Sequence, residues 1–171
     1  NKAVAQIPER KADLFRPPTA RRKPLLFPGV VEFVKAAKAH YSLAIASGGR
    51  REQIEEAMAG SAIERDFDVI VAAEDCPIGK PDPAIYLMTL ERLNGPLPAS
   101  LIRPAECLVL EDSLAGIRSA KAARPRVAAL ANPYPVEKLY EADGIVRSFE
   151  GTTPAAMIDP LSSIGSRRGV R

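Results

Sequence analysis

The sequence predicts a three-layer α/β fold: a parallel sheet with helices on both faces. Three observations predict it. Short stretches such as Ser42-Leu-Ala-Ile-Ala and Glu106-Cys-Leu-Val-Leu-Glu are apolar through their centres instead of alternating apolar with polar. Such strands are buried on both faces, which is the mark of a covered parallel sheet. Stretches of helical periodicity separate them, as crossovers between parallel strands require. Finally, polar residues and glycines gather directly after the strands, where open parallel sheets bind ligands.

In chain order, residues 1–15 read as an amphipathic helix with Val4, Ile7, Ala12 and Phe15 as its apolar stripe. Pro17, Pro18 and Pro24 end it and stiffen the connector after it, because proline fixes φ and removes a donor. Gly29 to Ala39 reads as a second helix, with Val30, Val31, Phe33, Val34 and Ala37 facing inward. The alternation then begins: a strand at 42–46, a helix at 50–59, a strand at 67–73 and a helix at 83–93. Pro83 suits the first turn of that helix, where a missing N–H costs nothing. A strand at 106–111, a helix at 115–123, a strand at 126–131 and a last short one at 144–149 complete the series. The tail from Gly151 is rich in Ser, Gly, Thr and Arg and is expected to be mobile.

Bulk properties exclude several classes. With 46% apolar and 26% charged residues the composition is that of a globular protein, and 171 residues suffice for one domain with a real core. No run is long enough to span a bilayer, so no membrane partner is expected. The net charge of +3 and the pI near 9.0 come from Arg16 to Lys23 and from Arg167, Arg168 and Arg171. A nucleic-acid stripe interleaves aromatics with its cations; these clusters hold none. Solvated ends are the favoured reading, with contact to an anionic partner such as RNA left open. Cys76 and Cys107 form no disulfide framework and no zinc cluster. They read as reduced thiols, which places the chain in the cytoplasm or an organellar matrix. His40, the single histidine, reads as a surface or capping residue at a helix end.

The residues directly after three of the strands carry the chemistry. Ser47-Gly48-Gly49 opens a helix, so free amides and a hydroxyl could cradle a phosphate, although a plain glycine turn would look similar. Lys80 sits between Gly79 and Pro81 on a stiff loop, where a fixed ammonium suits a phosphoryl group or a carboxylate; an ordinary exposed lysine fits equally well. Glu111 and Asp112 end an apolar strand as adjacent carboxylates, which are costly to bury without a cation. Mg²⁺, with its preference for oxygen ligands, is a natural partner. Capping of the next helix by Asp112 or Ser113 is the competing reading. Together these are the parts of a phosphoryl-transfer site, where catalysis is mainly positioning and charge neutralisation.

In this order and on these strand ends, the three motifs resemble those of the haloacid dehalogenase superfamily over roughly residues 25–150. The resemblance is to its subfamily of small phosphatases and sugar-phosphate mutases of the β-phosphoglucomutase type, which carry a helical cap. It implies a Rossmann-like three-layer parallel sheet. It also implies that residues 1–24 are a remnant of the cap and its connector and 25–150 the core, which leaves 151–171 as the mobile basic tail expected from composition. Ser47 looks like the family's second motif, Lys80 in Gly-Lys-Pro-Asp-Pro like the third, and Glu111-Asp112-Ser113 with Ala115-Gly116 like the fourth. By that resemblance Ser47, Gly48 and Gly49 hold the phosphate, Lys80 bridges phosphate and nucleophile, and Asp112, with Glu111 behind it, binds Mg²⁺.

One departure is large. The family's first motif, Asp-x-Asp-Gly, ends a strand that lies between the Ser47 strand and the Asp112 strand. The only Asp-x-Asp here is Asp66-Phe67-Asp68, which precedes its strand. The chain therefore lacks the carboxylate nucleophile, and two strands are left with bare edges. Either the chain is the C-terminal portion of a longer protein, or a protein partner or a rearrangement fills the gap. A smaller departure is Ala123-Arg124-Pro125, where the family has a helix-ending glycine; Pro125 can end the helix instead. Two functions are expected as alternatives. In the first, the complete protein is a Mg²⁺-dependent phosphatase or phosphomutase acting on a small phosphorylated metabolite, with this chain supplying the phosphate- and metal-binding half. In the second, the chain is a non-catalytic scaffold or assembly subunit. No dinucleotide fingerprint, P-loop or phosphoacceptor aspartate supports a nucleotide-binding or response-regulator reading.

Overall fold

The computed structural model of the chain describes residues 26–96, 101–131 and 134–158. The helix and connector read over residues 1–24, and residues 159–171 of the expected tail, lie outside them.

The first described helix, α1, spans Val30–Lys38. Gly29 precedes it in the left-handed region at φ 78°. A Cβ there would lie 2.6 Å from the backbone nitrogen of Glu150, so only glycine lets the two segments pass this closely. Glu32 in the first turn and Lys35 and Lys38 in the last complement the helix dipole. After α1 come β1 (Ala44–Ala46), α2 (Arg51–Met58), β2 (Val69–Val71), α3 (Ala84–Asn94), a 3₁₀ turn (Pro104–Glu106), β3 (Leu108–Glu111), α4 (Leu114–Ala123), β4 (Arg126–Leu130), a second 3₁₀ turn (Val136–Lys138) and β5 (Gly144–Val146). From Gly29 onward the order is the one the sequence predicts, with each strand shorter than its apolar run.

The strands pair in two parallel sheets. β1 lies beside β2, with Ala44 opposite Val69 and Ala46 opposite Val71. β3, β4 and β5 form the other, with Leu108 opposite Arg126 and Ala128 opposite Gly144. Among the described residues no strand joins β1 to β3. The expected single sheet is thus interrupted at the position where the resemblance put an absent strand. A cleft of about 650 Å³ lies there, lined by Ala44 and Ala46 on one wall and Leu108 and Leu110 on the other.

Both faces of the larger sheet are covered. Ala128 and Val146 pack with Phe33 of α1, Phe149 and Met157, and with Leu108 and Leu110. Val127 and Ala129 pack on the opposite face with Ile117 and Ala120 of α4, Leu139, Val109 and Tyr86. Neighbouring residues of β3 and β4 thus serve opposite layers, as a two-residue period requires. Ile117, Val127 and Leu139 are at most 1% exposed, and burial of each stabilises the fold by about 1.5–3 kcal/mol.

Two expectations change here. Residues 151–158 are not a mobile tail: residues 154–158 form a helical turn that seats Met157 in the core against Phe33 and Phe149. Composition hid this, because two apolar anchors, Pro154 and Met157, suffice to dock a short segment among polar neighbours. The end of α4 does not rest on Pro125 alone. Arg124 itself adopts the left-handed conformation, φ 71° and ψ 15°, that a glycine would have taken.

Candidate functional site

The carboxyl ends of β1 and β3 flank the same opening. After β1, the Ser47 N–H donates to the Val71 carbonyl at 2.9 Å, and the Gly49 carbonyl accepts from the Ala73 N–H at 3.0 Å. These bonds pin the loop to β2 and to the segment that follows it. Ser47 Oγ accepts the Gly49 N–H at 3.0 Å, and Gln53 Oε1 accepts the Arg50 N–H at 3.0 Å. The expected cradle is therefore narrower than Ser47-Gly48-Gly49 suggested, since the Gly49 amide is engaged within the loop. What remains is the Ser47 O–H and the Gly48 amide, in open space where even a Cβ at Gly48 would meet nothing within 4 Å.

Lys80 comes after β2 on a loop with a cis peptide bond to Pro81. The loop is tied down around it. Asp82 N–H donates to the Gly79 carbonyl at 3.2 Å, and Asp82 Oδ1 accepts the Ala84 N–H at 2.9 Å, opening α3. Ser119 Oγ of α4 donates to the Asp82 carbonyl at 2.5 Å. So held, Lys80 Nζ donates to the Ala46 carbonyl at 3.2 Å and to Glu111 Oε1. It joins the end of β1 to the end of β3 across the opening.

Glu111 is 6% exposed, and both its oxygens are committed. Oε1 takes Lys80 and the Tyr86 O–H at 2.5 Å; Oε2 takes the Ser113 N–H at 3.3 Å and Ser113 Oγ at 3.1 Å. Burial pushes the Glu111 carboxyl up, but the Lys80 charge and the bonds from Lys80, Tyr86 and Ser113 outweigh it and hold the group below its ordinary value. Burial, and then the facing Glu111 carboxylate, push the Tyr86 phenol far up, so it stays a donor. The Tyr86 ring also lies 5.0 Å from Lys80 Nζ, a cation–π distance.

Asp112 is an exposed carboxylate at the end of β3. Capping of α4 falls to Ser113, whose Oγ accepts the Gly116 N–H at 3.0 Å, and not to Asp112. As a Mg²⁺ site the two carboxylates differ: Asp112 fits, because Mg²⁺ uses one or two carboxylates and keeps several waters. Glu111 does not fit as a direct ligand, since both oxygens already accept hydrogen bonds. No cluster of three or more His, Cys, Asp or Glu occurs among the described residues.

Other acidic residues have structural work. Asp66 and Asp68 pair with Lys35 and Lys38 of α1 at 2.9 and 2.5 Å, at the opposite end of β2 from Lys80. Asp75 accepts the Ala72 N–H and pairs with Arg92 and Arg51, which together hold its carboxyl down to about 2. Glu74 Oε2 accepts the Arg51 N–H at 3.1 Å at the start of α2.

Two site residues have roles that the sequence did not disclose. Tyr86 lies six residues after Lys80 inside an apolar helical stripe, where it reads as core. Gly116 belongs to the Glu111-Asp112-Ser113 motif, but the motif alone gives no reason for a glycine. A Cβ at Gly116 would lie 2.0 Å from Glu111 Oε2, so the glycine makes room for the carboxylate against the first turn of α4. A buried carboxylate with a glycine five residues later at a helix start was the available signal.

Fold and site together define a parallel α/β protein with a hydroxyl, an ammonium and two carboxylates at or after its strand ends. The chain belongs to the haloacid dehalogenase-like hydrolases, whose family description matches residues 6–124. It is 38% identical over 99 residues to a phosphorylated carbohydrates phosphatase of Thermotoga maritima, covering 56% of this chain and 42% of that one. It is 37% identical over 113 residues to protein CbbY of Rhodobacter capsulatus, covering 64% and 47%. The solved structure of CbbY from Rhodobacter sphaeroides in complex with phosphate superposes with a TM-score of 0.67 at 31% identity, covering 78% of this chain and 59% of that one. The chain thus spans less than half the length of these curated relatives.

Proposed function

We propose that the complete protein is a Mg²⁺-dependent phosphatase or phosphomutase acting on a small phosphorylated metabolite, and that this chain supplies the phosphate- and metal-binding half of its site. One observation supports the reading: Lys80 bonds both to Ala46, the residue before Ser47, and to Glu111, the residue before Asp112, and so links the ends of β1 and β3. The relatives include a phosphatase of phosphorylated carbohydrates and a protein solved with phosphate, which supports the same substrate class.

In this proposal Ser47 O–H and the Gly48 amide bind phosphoryl oxygens and orient them. Lys80, held by Glu111 and Tyr86, sets a positive charge where negative charge builds up, without reorganising during the reaction. Asp112 would hold Mg²⁺, which when bound neutralises phosphate charge. The carboxylate that attacks phosphorus is absent from the described residues and is supplied from outside them. A scaffold would have no need of this arrangement. Replacing a buried ion pair with apolar side chains is often neutral or stabilising, so Lys80–Glu111 is a poor device for stability alone.

The test is phosphate release by the complete protein from a panel of sugar phosphates. Lys80→Ala and Asp112→Ala are each expected to lower kcat/KM by at least about 100-fold, the loss typical of removing one charge-stabilising group. Chelation of Mg²⁺ should give a loss that added Mg²⁺ restores in the parent and not in Asp112→Ala. Wild-type rates in both variants would sink the assignment.

A further inference from the structure

Serine is a poor occupant for the middle of a buried helix. Its hydroxyl competes with the helix for hydrogen bonds, and alanine fills the same space with the higher helix propensity. Ser119 nevertheless lies inside α4 at 0% exposure. A serine within a helix usually turns its hydroxyl to water or back onto the carbonyl four residues earlier. Ser119 instead gives its one proton to the Asp82 carbonyl, 37 positions away in the chain.

The reason lies in the acceptor. Asp82 comes two residues after Lys80, in Lys80-Pro81-Asp82-Pro83. Each proline fixes its own φ and restricts the residue before it, here Lys80 and Asp82. The segment is therefore stiff, yet neither proline has an N–H with which to anchor it. Its other bonds are local. The Asp82 N–H donates to the Gly79 carbonyl, Cys76 Sγ donates to the Ile78 carbonyl, and Asp82 Oδ1 accepts the Ala84 N–H. Helix α3 makes no use of the Asp82 carbonyl, since its first amides, Tyr86 and Leu87, donate to Pro83. Among the described residues, Ser119 makes the one hydrogen bond from another element to the backbone of residues 77–82. Packing does not replace it at the start of this stretch, where Ile78 is 54% exposed.

A stiff segment with a single anchor moves as a body when the anchor is lost. Lys80 rides on that segment, and its ammonium meets the Ala46 carbonyl and Glu111 at once. At the other end of the Ser119 bond, α4 is capped by Ser113, directly after Asp112, and sets Gly116 against the Glu111 carboxylate. The hydroxyl thus ties the loop that carries the ammonium to the helix that surrounds the carboxylates. We propose that Ser119 is a positioning residue of the site: its bond to the Asp82 carbonyl holds the Lys80 ammonium in place against the carboxyl end of β3. The inference rests on the phosphoryl-transfer reading, within which Ser119 touches neither phosphate nor metal and acts through Lys80.

The test is a double-mutant cycle in the complete protein, read as phosphate release from the panel of sugar phosphates. Ser119→Ala removes one oxygen and leaves the best helix former, so the fold is retained. Its kcat should fall about tenfold with KM nearly unchanged, since a displaced ammonium weakens the transition state more than the uptake of substrate. In a Lys80→Ala background the same substitution should lower kcat no further, because the bond then positions nothing. A wild-type kcat in Ser119→Ala would overturn the proposal, and so would an equal loss in both backgrounds. Acetylation by acetic anhydride, mapped lysine by lysine, gives a readout that needs no activity. Lys80 should label at least about tenfold faster in Ser119→Ala, while Lys121 of α4 keeps its wild-type rate, as a local release requires. Unchanged labelling of Lys80, or an equal gain at both lysines, would overturn the proposal as well. Absence of phosphate release by the unaltered protein would instead remove the phosphoryl-transfer reading, and the labelling would still decide whether Ser119 holds the loop.

Discussion

Glu111 shows how one side chain can organise a site it does not itself complete. Its oxygens gather Lys80, Tyr86 and Ser113. Because its folded-state value lies below the ordinary 4.5, the stability it contributes is full above that pH and is lost as pH falls through the folded value. Glu111→Gln should therefore flatten the acid limb of the stability curve below about pH 4.5, measured by urea unfolding at a series of pH values. An unchanged acid limb would remove Glu111 as its source. Gly116→Ala should cost about 1–3 kcal/mol, since the new methyl meets the Glu111 carboxylate and one of them must move. A shift in urea midpoint at constant slope would register it. The sequence marked both residues as part of one motif but did not disclose their contacts. The partners of Glu111 lie 31 and 25 positions away in the chain, and a glycine's reason for being small is visible only when its neighbour in space is known.

At the scale of elements the sequence was far more legible, because periodicity and turn chemistry are local. Residues 67–73 and 126–131 read as strands from their apolar centres, and β2 and β4 lie within them. The ends were less legible. β1 keeps three of its five apolar-run residues, since pairing with β2 sets its length and apolarity does not. Helix α4 makes the same point at its other terminus. Arginine at φ 71° carries a Cβ penalty of about 1–2 kcal/mol that glycine avoids. Arg124→Gly should raise stability by about 1 kcal/mol, less whatever the more flexible unfolded chain takes back. A lower thermal midpoint in that variant would show that the Arg124 side chain contributes more than its backbone strain costs.

For the whole molecule, the layered α/β class was legible because apolar strands alternating with helices fit few arrangements, whereas the position of the interruption was expected only from the family resemblance. The seating of residues 154–158 was not, since docking of a short segment depends on a surface that exists only after the rest has folded. The pairing of Lys80 with both strand ends was also out of reach. Only the loop's stiffness pointed to a fixed ammonium; what it was fixed against required the fold.

The two sheets share no ladder among the described residues, and Tyr86 is the side chain that packs against the apolar clusters of both. Cooperativity of unfolding depends on such shared contacts. The chain should therefore open as two foldons, with the pair β1–β2 released at a lower free energy than β3–β4–β5. Native-state exchange would show this as two groups of amides with distinct denaturant slopes. Tyr86→Ala should widen the interval between them, because the substitution removes one of the links between the sheets, beside those of Lys80 and Ser119, while leaving each ladder intact.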